Sequence, residues 1–277
     1  MKRREFCRNT LAGGVIASFP FLAAEARANT GIEAVSLGGA SIELEKAAVN
    51  ELADEMSGRL ILAGHPEYDT VRKVWNGMHD KRPALIARCA NANDAGHAVN
   101  FARENNLLVA VRGGGHSWPG KSVCDGGIMI DLAEMVDVRV DTGAKRAHVQ
   151  GGALLGHLDA ATLPQGLVTT TGVVSHTGVG GFTLGGGFGR LNRKHGLAVD
   201  NLVSADVVTA NGRLRSVSPE QEPDLFWAIR GGGGNFGVTT RFEFQLYPFN
   251  RKVLSGMIVW PVEQARDVLE FYGDWYQ

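Results

Sequence analysis

An α+β fold is predicted by three features of this 277-residue chain. Residues 84–111 read as strand, helix and strand. Residues 136–149 and 205–217 read as hairpins. Phe242, Phe244 and Leu246 alternate with Arg241, Glu243 and Gln245, the period of a half-buried strand. The first feature makes a small βαβ part, and the others a larger, mainly antiparallel part.

Taken in order, the chain opens with Met1-Lys2-Arg3-Arg4, an apolar small-residue stretch over 11–24, and Ala26-Arg27-Ala28, an Ala-x-Ala cleavage site. This is the pattern of a twin-arginine export signal cleaved after Ala28. The apolar stretch is shorter than the roughly twenty residues of a spanning helix. Residues 29–78 are expected to form a helical lead-in. The apolar run 84–89 reads as a buried strand. The helix that follows is placed over 93–105, with Asn93 as its cap, Asp94 in its first turn, and Ala95, Ala98, Val99 and Ala102 on one face. Residues 107–111 form the next strand, whose carboxyl end is where open α/β sheets bind ligands. Val136, Val138 and Val140, a turn at Asp141-Thr142-Gly143, then Ala147 and Val149 give one hairpin, and Asn211-Gly212 marks the other. A strand over 253–260 and a helix over 262–276 are expected last. The chain stops in that helix with no terminating signal and reads as a fragment.

The chain holds 37 glycines, and they cluster. Arg112-Gly113-Gly114-Gly115-His116-Ser117 ends the second strand. Gly178-Val179-Gly180-Gly181-Phe182-Thr183-Leu184-Gly185-Gly186-Gly187-Phe188-Gly189 follows well downstream. Glycine runs serve where backbone takes positive φ or comes close to another group, and their free N–H groups form concavities suited to a pyrophosphate. Either block alone is explained by tight turns; together, with a histidine closing the first, they point to a phosphate-bearing cofactor.

Cys89-Ala90-Asn91-Ala92-Asn93-Asp94, the run Val109-Ala110-Val111 leading into the first glycine block, and Asp200-Asn201-Leu202 together resemble a known family over residues 83–248. It is the FAD-binding oxidoreductases of the vanillyl-alcohol oxidase and p-cresol methylhydroxylase type, in their berberine-bridge-enzyme-like branch. The resemblance implies a FAD-binding domain over 79–249 and the beginning of a substrate domain over 250–277. It also implies FAD bonded through His116 to the 8α carbon. A second, cysteinyl link found in many members is not expected, because Val174 occupies that position in Gly172-Val173-Val174-Ser175-His176. The surround of the cofactor is assigned by the resemblance to residues 112–117, to Gly178, Gly180, Gly181, Gly185, Gly186, Gly187 and Gly189, and to Val238 beside a further glycine turn. His176 and Thr177 fall where the family approaches the isoalloxazine, although His176 reads equally as a turn residue bonded to backbone. Asp200 and Asn201 either hold the segment after the second block or form a simple turn.

Other signals are weaker. Gly232, Gly234 and Gly237 match a dinucleotide fingerprint, but a helix precedes them and a strand follows, the inverse of a Rossmann site. Net charge is -1, without the basic patch of a nucleic-acid binder. Eight histidines show no paired zinc spacing, so no metal is expected. Cys89 reads as a buried, inert thiol. The expected chemistry is hydride transfer from an alcohol, sugar or phenolic substrate to flavin N5, with a base that this stretch of chain does not identify. The acceptor is oxygen, a quinone or a cytochrome, and the expected location is periplasmic or secreted. Two alternatives stand beside it: a FAD-dependent reductase of cell-wall precursors on a related fold, and an inactive flavin-binding remnant.

Overall fold

The chain is described by a computed structural model over residues 31–249 and 256–276. Residues 1–28, which read as an export signal, lie outside the described residues. In chain order the first elements are β1 (Gly31–Val35), β2 (Ser41–Glu45), α1 (Lys46–Glu55), β3 (Arg59–Leu62) and α2 (Tyr68–Val71). Next come β4 (Leu85–Arg88), α3 (Ala92–Glu104), β5 (Val109–Arg112), β6 (Ile128–Asp131), β7 (Val138–Asp141) and β8 (Arg146–Gln150). They are followed by α4 (Leu155–Thr162), β9 (Leu167–Val168), α5 (Val179–Leu184), α6 (Asn192–His195), β10 (Leu202–Val208) and β11 (Leu214–Val217). The last are α7 (Pro223–Ile229), β12 (Val238–Gln245), β13 (Tyr247–Pro248) and α8 (Ala265–Tyr276).

The α+β class holds, in two parts. The first is a four-stranded sheet in the order β3-β4-β6-β5. β4 and β5 both run parallel to β6, which lies between them, and β3 pairs antiparallel at the edge. The strand-helix-strand reading was therefore correct in its elements, but the two strands are not neighbours. Ile128, Met129 and Ile130 are fully buried, as an apolar central parallel strand must be. Helix α3 covers one face with Ala95, Ala98, Phe101 and Ala102. The second part is an antiparallel sheet in the order β11-β10-β12-β8-β7, whose core centres on Val149, Val207, Phe242 and Phe244.

Three expectations are corrected. The lead-in is not simply helical: β1 and β2 pair as a hairpin before α1. Ala34 and Leu44 point inward and their neighbours outward, so strand periodicity decides the structure there. The cap of α3 is Asn91, not Asn93. Its side chain accepts from the N–H groups of Asn93 and Asp94 at 2.9 and 3.1 Å. Asp94 is buried, and its carboxylate accepts from the backbone of Ser57, Gly58 and Ala90 at 2.8–2.9 Å. Residues 256–260 form no strand, having no partner strand among the described residues, and 253–255 lie outside them. The helix after them is present as α8. The Asn211-Gly212 hairpin is present too, with a longer connection over 209–213, closed by Thr209 N–H donating to Arg213 C=O at 3.0 Å.

Asp206 on β10 faces Ser216 on β11 and Arg241 on β12. Ser216 Oγ donates to it at 2.7 Å and Arg241 Nε at 2.6 Å. Burial alone would raise its pKa, but the bonds from Arg241 and Ser216 outweigh burial and hold it below the ordinary 3.8. A lowered folded pKa stabilises the fold above the unfolded value and ceases to do so as pH falls through the folded one. Asp206→Asn is therefore expected to cost about 1 kcal/mol at neutral pH. The variant should also lose part of the acid-dependent decline in stability below about pH 4, as measured by urea unfolding across pH.

Cys89 and Cys124 are both buried and free. Burial raises both thiol pKa values, that of Cys124 to about 11, which makes them poor nucleophiles. Among the described residues no group of His, Cys, Asp or Glu could hold a metal ion.

Candidate cofactor site

β5 ends at Arg112, and the glycine block that follows turns along the junction between the two sheets. There a cavity of about 370 Å³ is lined by Arg112, Gly113, Gly114 and His116 from the first block, by Leu154, His157 and His176 from the segments that follow β8, and by Val74 and Trp75. Three backbone bonds build the second wall. Leu155 N–H donates to Thr177 C=O, Gly156 N–H to Ser175 C=O and Val179 N–H to Ala153 C=O, each at 2.8 Å. They pin the turn 174–178 against the start of α4, with His176 near its apex.

The two glycine blocks touch at one point. A Cβ on Gly114 would lie 2.3 Å from the backbone nitrogen of Gly178, and one on Gly178 would lie 2.3 Å from that of Gly114. Such separations are impossible for real side chains, so this crossing requires glycine on both sides. Gly115 follows at φ +71, a left-handed conformation suited to glycine. Its C=O accepts from Trp75 N–H at 3.1 Å.

That turn delivers His116. Its Nε2 lies 2.7 Å from Nδ1 of His176, and the Trp75 ring stacks on it with centroids 5.0 Å apart and planes 16° apart. Trp118 leans on Trp75 at 6.0 Å. Burial, and secondarily the neighbouring His176, lower the pKa of His116 and so favour its uncharged form. Arg112 bonds through its guanidinium to Val71 C=O. Its Nε is buried without a hydrogen-bond partner among the described residues. Arg112 NH1 also lies 3.8 Å from Asp131 Oδ2. Burial raises the pKa of Asp131, while Arg112 pulls it down.

The structure thus brings Arg112, Gly113, Gly114, His116 and His176 to one cavity. His176 is not a backbone-bonded turn residue; its ring meets His116. Ser117 turns away, its Oγ accepting from Lys121 N–H at 3.0 Å. Gly178 and Gly180 pack under the wall against Gly114 and the Gly151 carbonyl. Gly181 faces open space. Gly185, Gly186, Gly187 and Gly189 are not cavity-lining. The N–H groups of Ala198 and Val199 donate to the carbonyls of Gly187 and Gly186, and Gly189 lies against Thr171 C=O. Val238 is buried in the core, paired with Val208. Asn201 holds the segment after the second block, donating to His195 and Leu197 carbonyls at 2.9 and 2.7 Å. Asp200 accepts from Leu197 N–H. Trp75 and His157 escaped the sequence reading. Neither belongs to a motif, and only tertiary packing brings them here.

The donor set fits a flavin nucleotide. Glycine backbone leaves room for close approach, Val74, Trp75, Val136 and Leu154 give apolar walls, and an arginine nitrogen is buried without a hydrogen-bond partner among the described residues.

Comparison with known proteins agrees. Residues 83–218 match the family described as FAD binding domain. (R)-6-Hydroxynicotine oxidase of Paenarthrobacter nicotinovorans is 42% identical over 215 residues, 76% of this chain and 46% of that protein. The crystal structure of 6-hydroxy-D-nicotine oxidase from Arthrobacter nicotinovorans superposes with a TM-score of 0.76 at 40% identity, covering 79% of this chain and 49% of that one. Glucooligosaccharide oxidase from Acremonium strictum, described with a 6-S-cysteinyl, 8α-N1-histidyl FAD, gives a TM-score of 0.68 at 34% identity over 72% of this chain and 42% of its own. The chain thus spans about half the length of the curated relatives it matches. With a matching domain, superposable folds and a glycine-built cavity at the junction of its two sheets, the chain belongs to the FAD-binding oxidoreductases of the vanillyl-alcohol oxidase type, in the berberine-bridge-enzyme-like branch.

Proposed function

We propose that this chain is the FAD-binding part of an exported oxidoreductase acting on an alcohol, sugar or phenolic substrate, with the cofactor attached through His116. The observation that carries the reading is His116 itself, stacked on Trp75 and presented in the cavity wall. Bound flavin would supply a hydride acceptor at N5. The chain's own residues shape the site around it. Gly113 and Gly114 keep the wall free of side chains, Arg112 offers a positive charge to phosphate or to the ring edge, and Trp75 fixes the plane of the His116 ring. Val174 stands where a cysteinyl link would need sulfur, so one bond to the cofactor is expected. Relatives named as oxidases of 6-hydroxynicotine and of xylooligosaccharides support a small organic substrate. Arg3-Arg4 and Ala26-Arg27-Ala28 support export by the twin-arginine machinery to the periplasm or beyond, with oxygen, a quinone or a cytochrome as the electron acceptor.

The test is the denatured intact mass of the protein from its producing cells. A mature chain beginning after Ala28 and heavier by one FAD, an addition lost in His116→Ala, is the expected result. An unmodified wild-type chain would overturn the covalent reading.

A further inference from the structure

His116 and His176 lie 60 positions apart, and their contact is ring to ring. A neutral imidazole has one N–H and one lone pair, so in a direct histidine pair one ring donates and the other accepts. The bond uses Nε2 of His116 and Nδ1 of His176. Nδ1 of His116, in the cavity wall, has no hydrogen-bond partner among the described residues. If His116 donates, that Nδ1 carries a lone pair.

We propose that His176 is a positioning residue for flavin attachment: its Nδ1 accepts the Nε2 proton of His116 and so frees His116 Nδ1 to form the bond. This rests on the reading that His116 carries the flavin. The new bond joins His116 Nδ1 to the 8α carbon. One C–H bond of the 8α methyl group and the N–H bond at His116 Nε2 are broken. The second proton passes to His176 Nδ1 and, from that exposed ring, to water. Two electrons stay on the flavin, leaving it reduced, and dioxygen removes them as hydrogen peroxide.

The surroundings suit the role. Trp75 stacks on His116 and restrains its rotation away from His176. The turn carrying His176 is tied to residues 153–156 by backbone bonds on both sides. Desolvation, with the nearby His176, disfavours a charged His116, which keeps the nucleophilic form populated.

The experiment follows the covalently modified fraction by denatured intact mass after FAD is added to the full chain purified from riboflavin-starved cells. Non-covalent binding is read in parallel from the flavin absorbance of the native protein. Wild type is expected to become modified. His176→Ala should bind flavin but form the bond roughly 100-fold more slowly, the scale of a lost general base, and added imidazole should restore the rate. His176→Asn, which keeps an acceptor oxygen but cannot hold the proton, should also be slow. Modification of either variant at the wild-type rate would overturn the inference while leaving His116 as the link. So would slow modification of His176→Ala that imidazole does not restore. A wild-type chain that never gains mass would overturn the reading of His116 itself.

Discussion

Gly114→Ala is expected to separate the two walls of the cavity and to abolish flavin retention. The added methyl would sit 2.3 Å from the Gly178 nitrogen and 3.1 Å from Leu154 Cδ2. Because the first obstacle is backbone, no rotamer relieves it. The loop carrying His116 must move away from the turn carrying His176, and the 2.7 Å contact between them is lost. Overpacking of this kind costs about 3 kcal/mol, and the displacement falls on the flavin site. Equilibrium urea unfolding and flavin absorbance after desalting would measure the two effects. Gly181→Ala is the matched control: it lies in α5 with no atom within 4 Å of the new methyl, and alanine there should raise stability by about 0.5 kcal/mol. Full flavin retention by Gly114→Ala would show that the crossing of the blocks does not organise the site.

Asp94→Ala should be the most damaging single change outside the cavity. The carboxylate is 1% exposed and collects three backbone N–H groups: Ser57 and Gly58 from the turn before β3, and Ala90 from the segment after β4. Removing it leaves those donors without their partner, at about 1–3 kcal/mol for each that water cannot reach. A total near 4 kcal/mol corresponds to a fall in melting temperature of about 10 °C or more for a chain of this size. Asp94→Asn should recover only part of it, since its amide NH2 would turn a donor toward donors. Thermal unfolding of the two variants beside wild type decides the matter; a loss below about 1 kcal/mol in the alanine variant would mean that water replaces the carboxylate.

The reason Asp94 was read as a simple first-turn acid shows where sequence legibility ends. Its position near a helix start is a local pattern, and local patterns located α3, β4, β5, both antiparallel hairpins and β12. What it binds lies 36 and 37 positions away, and no periodicity records that. The same division holds at the site. Arg112 to His116 were legible because glycine density and a closing histidine are written in consecutive residues. Trp75 was not, since its value lies in a ring stack reached through folding. Gly185 to Gly189 were over-read: a glycine run says that backbone must pass closely by something, but here that something is the carbonyl of Thr171 and the segment 197–199. The hairpin β1-β2 was missed because its strands have five residues each and charged residues on their outer face.

The position of β12 has a consequence for biosynthesis. Although it is made late, it lies in the middle of its sheet, between β10 and β8, and Gly151 N–H, at the base of the second cavity wall, donates to Thr240 C=O. A ribosome that has released only the first two hundred residues has therefore displayed both glycine blocks and both histidines without the strand that seats them. Until β12 pairs with β10 and β8 the second cavity wall lacks this support, so a chain cut before residue 238 is expected not to retain flavin.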